Sequence, residues 1–419
     1  VPTRRAIFAL AALGLTAGAT GCATRHRSCA PPELTRTSGL VPLGPGDESS
    51  AVEADLIRSF ADKARAADDP AARPAKRSRI LALSGGGMYG AYTVGVLSGW
   101  TAAGSRPEFD VVTGVSTGAL IATYAFLGTE YDRTMAALYT TINSRDVYRR
   151  RPAGAVLWSD AAASSAPLKK LIDAQVDDDI LAAVAKAHAA GRRLYTGTTN
   201  IDTRQLVIWD MGAIAASGRP GAKELYRKVL LASASVPGFF PPVPIEVEVN
   251  GRTFTEMHVD GGATTGVFLR ASTLHLDREA LKAGRRPLAG SDVYVVVAGK
   301  LYADPTCTDG RALKIGASAL ESVLYSQTRG ELFRIYALCL LGGMTYHLAA
   351  IPEEMKVGAD AMGFDTAEMK RLYAAGYAAA AGGVAWRDTP PGAEPHEQTQ
   401  PRTGTQFLAP GAAPADRPR

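Results

Sequence analysis

The clearest signal along the chain is a short apolar run, then a glycine-rich turn, then apolar positions at helical spacing, and it occurs twice in succession. Arg79 to Leu83 reads as a strand, Gly85 to Gly90 as a turn, and Gly90 to Trp100 as a helix ending near Gly104. Phe109 to Thr113 is then a strand, Gly114 to Gly118 a tight turn, and Ala119 to Leu127 a helix closed by Gly128. Two such units in a row predict a mainly parallel sheet covered by helices, a three-layer α/β/α architecture.

Farther along, Thr129 to Gly191 is Ala-rich and helical in pattern, and Leu194 to Thr199 and Gln205 to Asp210 read as strands. Ile245 to Val249 and Thr253 to Val259 flank Asn250-Gly251, a strong hairpin signal. Val293 to Ala298 lacks alternation and so predicts a strand buried on both faces. Met344 to Ile351 reads as another strand. Asp365 and Glu368 mark a helix start, after which Met369, Leu372, Tyr373, Gly376 and Tyr377 share one packing face.

The ends differ from this middle. Arg4 and Arg5 precede an uncharged run from Ala6 to Ala19, which leads to Thr20-Gly21-Cys22, the layout of a secretory signal. At 14 residues the run is too short to cross a bilayer of about 30 Å at about 1.5 Å per residue. Small residues before Cys22 resemble a bacterial lipoprotein cleavage site, with Cys22 lipidated as the first mature residue; an ordinary secretory signal with Cys22 incidental is the alternative. The expected organisation is a signal over 1–22, a flexible tether over 23–75 containing one short helix around Ala51 to Ala66, a folded domain over 76–387, and a disordered, proline-rich tail over 388–419. The expected location is an exported, membrane-anchored lipoprotein facing the periplasm or the cell exterior.

Composition narrows the class. With 21% charged and 46% apolar residues in 419, the chain has the balance of a soluble globular protein, long enough for one enzyme-sized domain. The formal net charge of +5 is of the sign that an anionic membrane surface attracts, but without a clustered Lys/Arg stripe it reads as a solvated surface; no nucleic-acid partner is expected. Cys22, Cys29, Cys307 and Cys339 are too few and too scattered for a disulfide framework or a metal site. Cys339 falls in the apolar run Tyr336 to Leu341 and reads as core, while Cys29 and Cys307 are free or paired.

The candidate chemistry sits in the two glycine turns. Gly114-Val115-Ser116-Thr117-Gly118 follows a strand and opens a helix, the context in which a sharp turn lifts a serine hydroxyl clear of a sheet. Ser84-Gly85-Gly86-Gly87-Met88-Tyr89-Gly90 admits two readings. Gly85, Gly87 and Gly90 match a dinucleotide fingerprint, but Glu108 precedes the second strand, where that fingerprint wants an acid after it. Gly85, Gly86 and Gly87 can instead present unobstructed N–H groups to an acyl oxygen that becomes anionic, which is an oxyanion hole. Ser116 also needs a base. His347 is the one late histidine inside the fold and would complete a triad, but its apolar surroundings suit a structural role. Asp260, in Asp260-Gly261-Gly262 at the end of the hairpin's second strand, can act directly if it reaches the hydroxyl.

The ordered set Gly85 to Gly90, Gly114 to Gly118 and Asp260-Gly261-Gly262, with Ala232 to Val243 before the aspartate, resembles the patatin-like phospholipase family. The resemblance runs from about Arg79 to Tyr377. It implies that Ser116 is the nucleophile, Asp260 the base of a two-residue catalytic site, and Gly85 to Gly90 the oxyanion loop. It also implies a phospholipid or other lipid ester as substrate, with no metal or cofactor. Where the family's glycine loop often carries Arg or Lys, Tyr89 stands here. A catalytically silent, membrane-tethered binding protein of the same fold is the alternative from another class.

Overall fold

The computed structural model describes residues 28–29 and 77–393, apart from 153, 155–157, 270–287, 305–306, 309 and 359. The expected signal, Cys22, nearly all of the expected tether and most of the expected tail lie outside the described residues.

Both repeated units form. Arg79–Leu83 (β1) leads through the glycine turn to Gly90–Ala102 (α1), and Val111–Val115 (β2) leads directly to Thr117–Leu127 (α2). β2 lies two residues later than its apolar run suggests, because Gly114 and Val115 continue the ladder beside Leu83. Only Ser116 remains as the turn.

Asp132–Thr141 (α3), Ser144–Val147 (α4), the short pair Arg149–Arg150 (β3) and Ala163–Ser164 (β4), Ala166–Gln175 (α5) and Asp178–Ala189 (α6) make up the helical middle. Arg193–Asn200 (β5), Gln205–Asp210 (β6), Met211–Ala216 (α7) and Ala222–Ser233 (α8) follow, and then the hairpin Val243–Val249 (β7) and Arg252–Asp260 (β8). Asn250 and Gly251 both have positive φ, 51° and 72°, as a two-residue hairpin turn requires. Asp292–Val297 (β9), Ala312–Gly342 (α9), Thr345–Ala350 (β10) and Thr366–Ala381 (α10) complete the described elements.

The eight-stranded sheet runs β10-β9-β1-β2-β5-β8-β7, with β6 on the other edge of β5. The strands from β10 to β5 are parallel, and β6, β7 and β8 are antiparallel to their neighbours. Alternate strand residues divide between two cores. Leu81, Leu83, Val112 and Val296 meet one face's helices, while Ile80, Ala82, Val111, Val115, Val293, Val295 and Val297 face the other side with Leu332, Ile335, Leu338 and Cys339 of α9. Burial on both faces explains why β1 and β9 read as continuous apolar runs. By contrast β7 alternates: Ile245, Val247 and Val249 are buried while Glu246 and Glu248 are exposed.

α9 was not legible beyond its last turns. Its first half carries Ile315, Leu320, Val323 and Leu324 on exposed positions, so no inward-facing stripe marks it. Among the described residues no helix is long and apolar enough to cross a membrane. Cys29 and Cys307 are free and exposed; Cys339 is buried, and burial pushes its thiol up to about 12.

Candidate active site

The site forms where two strands meet end to end along one edge of β5. Tyr195 to Gly197 pair with β2 on one side and with β6 on the other. Thr198 to Asn200 still pair with β6, so β8, which pairs with the same three residues, must occupy the edge that β2 has just left. Val115 is opposite Gly197, and Asp260 is opposite Thr198, the next position. The chain therefore leaves β2 at Ser116 just where β8 delivers Asp260.

Ser116 has φ 55° and ψ −128°, a strained backbone for a residue with a side chain. It precedes α2 and is buried, 7% exposed. Gly118 permits the close approach, since a Cβ there would lie 2.5 Å from the Ser84 carbonyl and 2.6 Å from that of Leu83. Ser116 N–H donates to Ser233 Oγ at 3.0 Å. Asp260, 5% exposed, accepts a hydrogen bond from Gly262 N–H at 2.7 Å, and its carboxyl lies close enough to the Ser116 side chain to be influenced by it. Burial pushes its carboxyl from 3.8 up to about 6, while Ser116 and the bond from Gly262 pull it the other way. A buried carboxylate with a raised proton affinity, beside a serine hydroxyl, has the properties of a general base.

The glycine loop lies beside this pair. A Cβ on Gly85 would be 3.1 Å from Ser116 Cβ. Gly85 N–H is already engaged, donating to Gly266 O at 3.0 Å, and Met88 N–H donates to Ala361 O at 2.9 Å. Gly86 and Gly87 N–H have no acceptor among the described residues. Of the three glycines expected to offer N–H groups to an acyl oxygen, Gly85 therefore has its N–H engaged within the protein. Gly86, at φ 155°, sits against Ala298, and a Cβ would collide with that carbonyl. Of the remaining motif glycines, Gly90 lies against Thr117, Gly114 against the first turn of α2, and Gly261 against the Gly197 carbonyl.

Ser116 and Gly87 open into an apolar cavity with about 930 Å³ of empty space, counting its mouth. Leu120, Ile121 and Tyr124 of α2 line one side, Met135 and Leu138 of α3 another, and Leu168, Leu171 and Ile172 of α5 a third. The Tyr124 hydroxyl bonds Gln175 at the ends of α2 and α5.

Residues 81–271 match the family model described as patatin-like phospholipase. Over these residues the chain is similar to a patatin-like phospholipase domain. Sixty-five residues are 51% identical to an Escherichia coli protein described as cUMP-AMP-activated phospholipase; the match covers 15% of this chain and 20% of that relative. Among solved structures, VipD from Legionella pneumophila aligns at 12% identity and a TM-score of 0.30, over 72% of this chain and 65% of that one. In both pairings the match spans less than two thirds of the known protein.

His347 stands apart from Ser116 and Asp260. It lies on β10, three strands from β2, roughly 14 Å across the sheet at the usual strand spacing. Its ring bonds Asp292 at 3.1 Å and stacks on Tyr294. Glu108, the acid weighed for a dinucleotide, instead pairs with Arg192 at 2.8 Å. Tyr89 turns from the glycine loop to donate its hydroxyl to the Gly358 carbonyl, and burial raises its pKa to about 12, so it stays neutral.

Sequence reasoning missed two groups. One is Ser233 and Ser235, in a stretch noted only for its resemblance. The other is a buried network behind Asp260: Trp209 Nε1 donates to Thr198 Oγ1 (2.7 Å), Thr198 bonds His258 Nδ1 (2.9 Å), and His258 Nε2 bonds Glu256 (3.0 Å). Glu256 and His258 look like ordinary strand residues, and only the fold shows that no solvent reaches them.

Proposed function

We propose that this protein is a lipid acyl hydrolase of the phospholipase A, lysophospholipase or lipase type, acting through a Ser116 acyl-enzyme with Asp260 as base. The observation that carries this reading is the juxtaposition of Ser116, which lines an apolar cavity, with the buried carboxyl of Asp260, beside Gly86 and Gly87 amides that have no acceptor among the described residues.

Asp260 accepts the proton of Ser116 Oγ as that oxygen attacks the ester carbonyl carbon. The carbonyl electrons move to oxygen, where Gly86 and Gly87 N–H stabilise the anion. The tetrahedral intermediate collapses, the alcohol leaves with the proton held by Asp260, and the acyl group stays on Ser116. Water then gives a proton to Asp260 and attacks the acyl carbon. Collapse releases the fatty acid, and Ser116 Oγ recovers the proton. The acyl chain lies in the cavity, whose wall from Leu120 to Phe240 offers it almost no polar contact.

Membrane attachment through lipidated Cys22 belongs to the same proposal. Ser28 O accepts a hydrogen bond from Thr255 N–H at 3.0 Å. Six residues span at most about 20 Å, so a lipid on Cys22 would keep β8 close to the bilayer surface. Cys22→Ala should move the protein from membranes to the soluble fraction with its intrinsic activity unchanged.

The activity is tested with a long-chain ester and a fluorophosphonate probe. Ser116→Ala and Asp260→Asn should each abolish turnover in folded protein. An unlabelled wild type would favour a binding protein of the same fold.

A further inference from the structure

The turn that closes α8 touches both members of the dyad. Ser233 Oγ accepts a hydrogen bond from Ser116 N–H at 3.0 Å and donates one to the Gly197 carbonyl at 2.7 Å. Two residues later, the Ser235 carbonyl accepts a hydrogen bond from Asp260 N–H at 2.8 Å, while Ser235 Oγ donates back to Leu231 O at 2.7 Å. Ser233 and Ser235 are both fully buried, at 0% exposure. Between and after them, Ala234 and Val236 line the apolar cavity. One short segment thus holds the backbone of the nucleophile, holds the backbone of the base, and forms part of the wall against which an acyl chain would lie.

We propose that Ser233 is a positioning residue for the dyad: its hydroxyl fixes the strained backbone of Ser116 on β5 and so sets the reach from Ser116 Oγ to Asp260. The reasoning is geometric. The register of β5 brings the ends of β2 and β8 to successive positions but does not fix the turn after Val115. Its held N–H restrains Ser116 from relaxing into a helical conformation. The Ser233 hydroxyl is suited to the task because it accepts from Ser116 and donates to Gly197, the very residue opposite Val115. Without it, Ser116 N–H and its φ of 55° lose their restraint, and small displacements of a nucleophile are costly in rate.

This inference rests on Ser116 and Asp260 being the reacting pair, and its test separates the two claims. Ser233→Ala, Ser233→Thr and Ser116→Ala are compared with wild type in kcat and KM for a soluble ester and in the rate of fluorophosphonate labelling, below each variant's melting temperature. Ser233→Ala should lower kcat and the labelling rate about 100-fold with KM little changed. Ser233→Thr keeps the hydroxyl and should restore most of both. A purely structural role would lower the melting temperature and leave kcat of the folded fraction alone. If Ser233→Ala is insoluble, Ser233→Cys serves, since a thiol is a poor substitute in both bonds and should show the same loss. Wild-type kcat in Ser233→Ala or Ser233→Cys, with Ser116→Ala inactive, overturns the positioning role alone. Turnover that survives Ser116→Ala overturns both claims.

Discussion

Asp260 reaches Ser116 because Val115 and Asp260 take successive places, opposite Gly197 and Thr198, along one edge of β5. The dyad is thus a consequence of strand register. A slip of one residue in either strand would turn one of the two proposed catalytic side chains to the other face of the sheet.

The raised carboxyl of Asp260 sets a pH dependence. As the proposed base it must be ionised, so activity should be present above about pH 6 and lost as protons bind below it. Measured with a neutral soluble ester, log kcat/KM should rise with slope about 1 up to a break near 6 and then level off. A profile flat from pH 4.5 to 8 would remove Asp260 from the base role.

The same shift carries a stability consequence of opposite sense. A carboxyl whose folded pKa lies above its ordinary value makes the folded state favour the proton. Its ionisation therefore costs stability as pH rises from 3.8 towards 6, and the cost persists above 6. Asp260→Asn should then be more stable than wild type at pH 8, by something on the order of 3 kcal/mol, and the gain should fade below pH 4. Urea unfolding at pH 8 and pH 4 measures both ends; equal stability at pH 8 would contradict the burial argument.

Filling the cavity should change which acyl chains are accepted. Ile172 is buried on α5 and lines the cavity. Ile172→Trp should shift the preference across a C4 to C16 ester series towards shorter chains, with short-chain turnover retained. An unchanged chain-length profile would place the acyl group elsewhere.

His347 offers the contrasting case. His347→Ala removes the bond to Asp292 and the stack on Tyr294, so the expected loss is about 1–2 kcal/mol of stability with kcat unchanged. A large fall in kcat at full folding would restore a histidine to the mechanism.

Much of this was legible in the residues. Glycine turns after apolar runs announced β1, β2 and their helices, and Asn250-Gly251 announced the β7–β8 hairpin, because local backbone geometry there depends on local residue type. Ser116 could be read from its turn. Asp260 could be singled out mainly through family resemblance, since its meeting with Ser116 arises from pairing across β5 between residues far apart in the chain. Which amides of the glycine loop are engaged depended likewise on Gly266 and Ala361, two distant carbonyls that accept from Gly85 and Met88 N–H. The middle and late helices were harder: α9 exposes apolar side chains along its first half, so burial there leaves no stripe to read.

The central claim is tested most directly by incubating membrane lipid extracts with wild type and Ser116→Ala, each shown to be folded, and comparing the products by mass spectrometry. Free fatty acid should accumulate with wild type and be absent with the variant. Equal release by both, or none by a wild type that fluorophosphonate leaves unlabelled, would contradict the account.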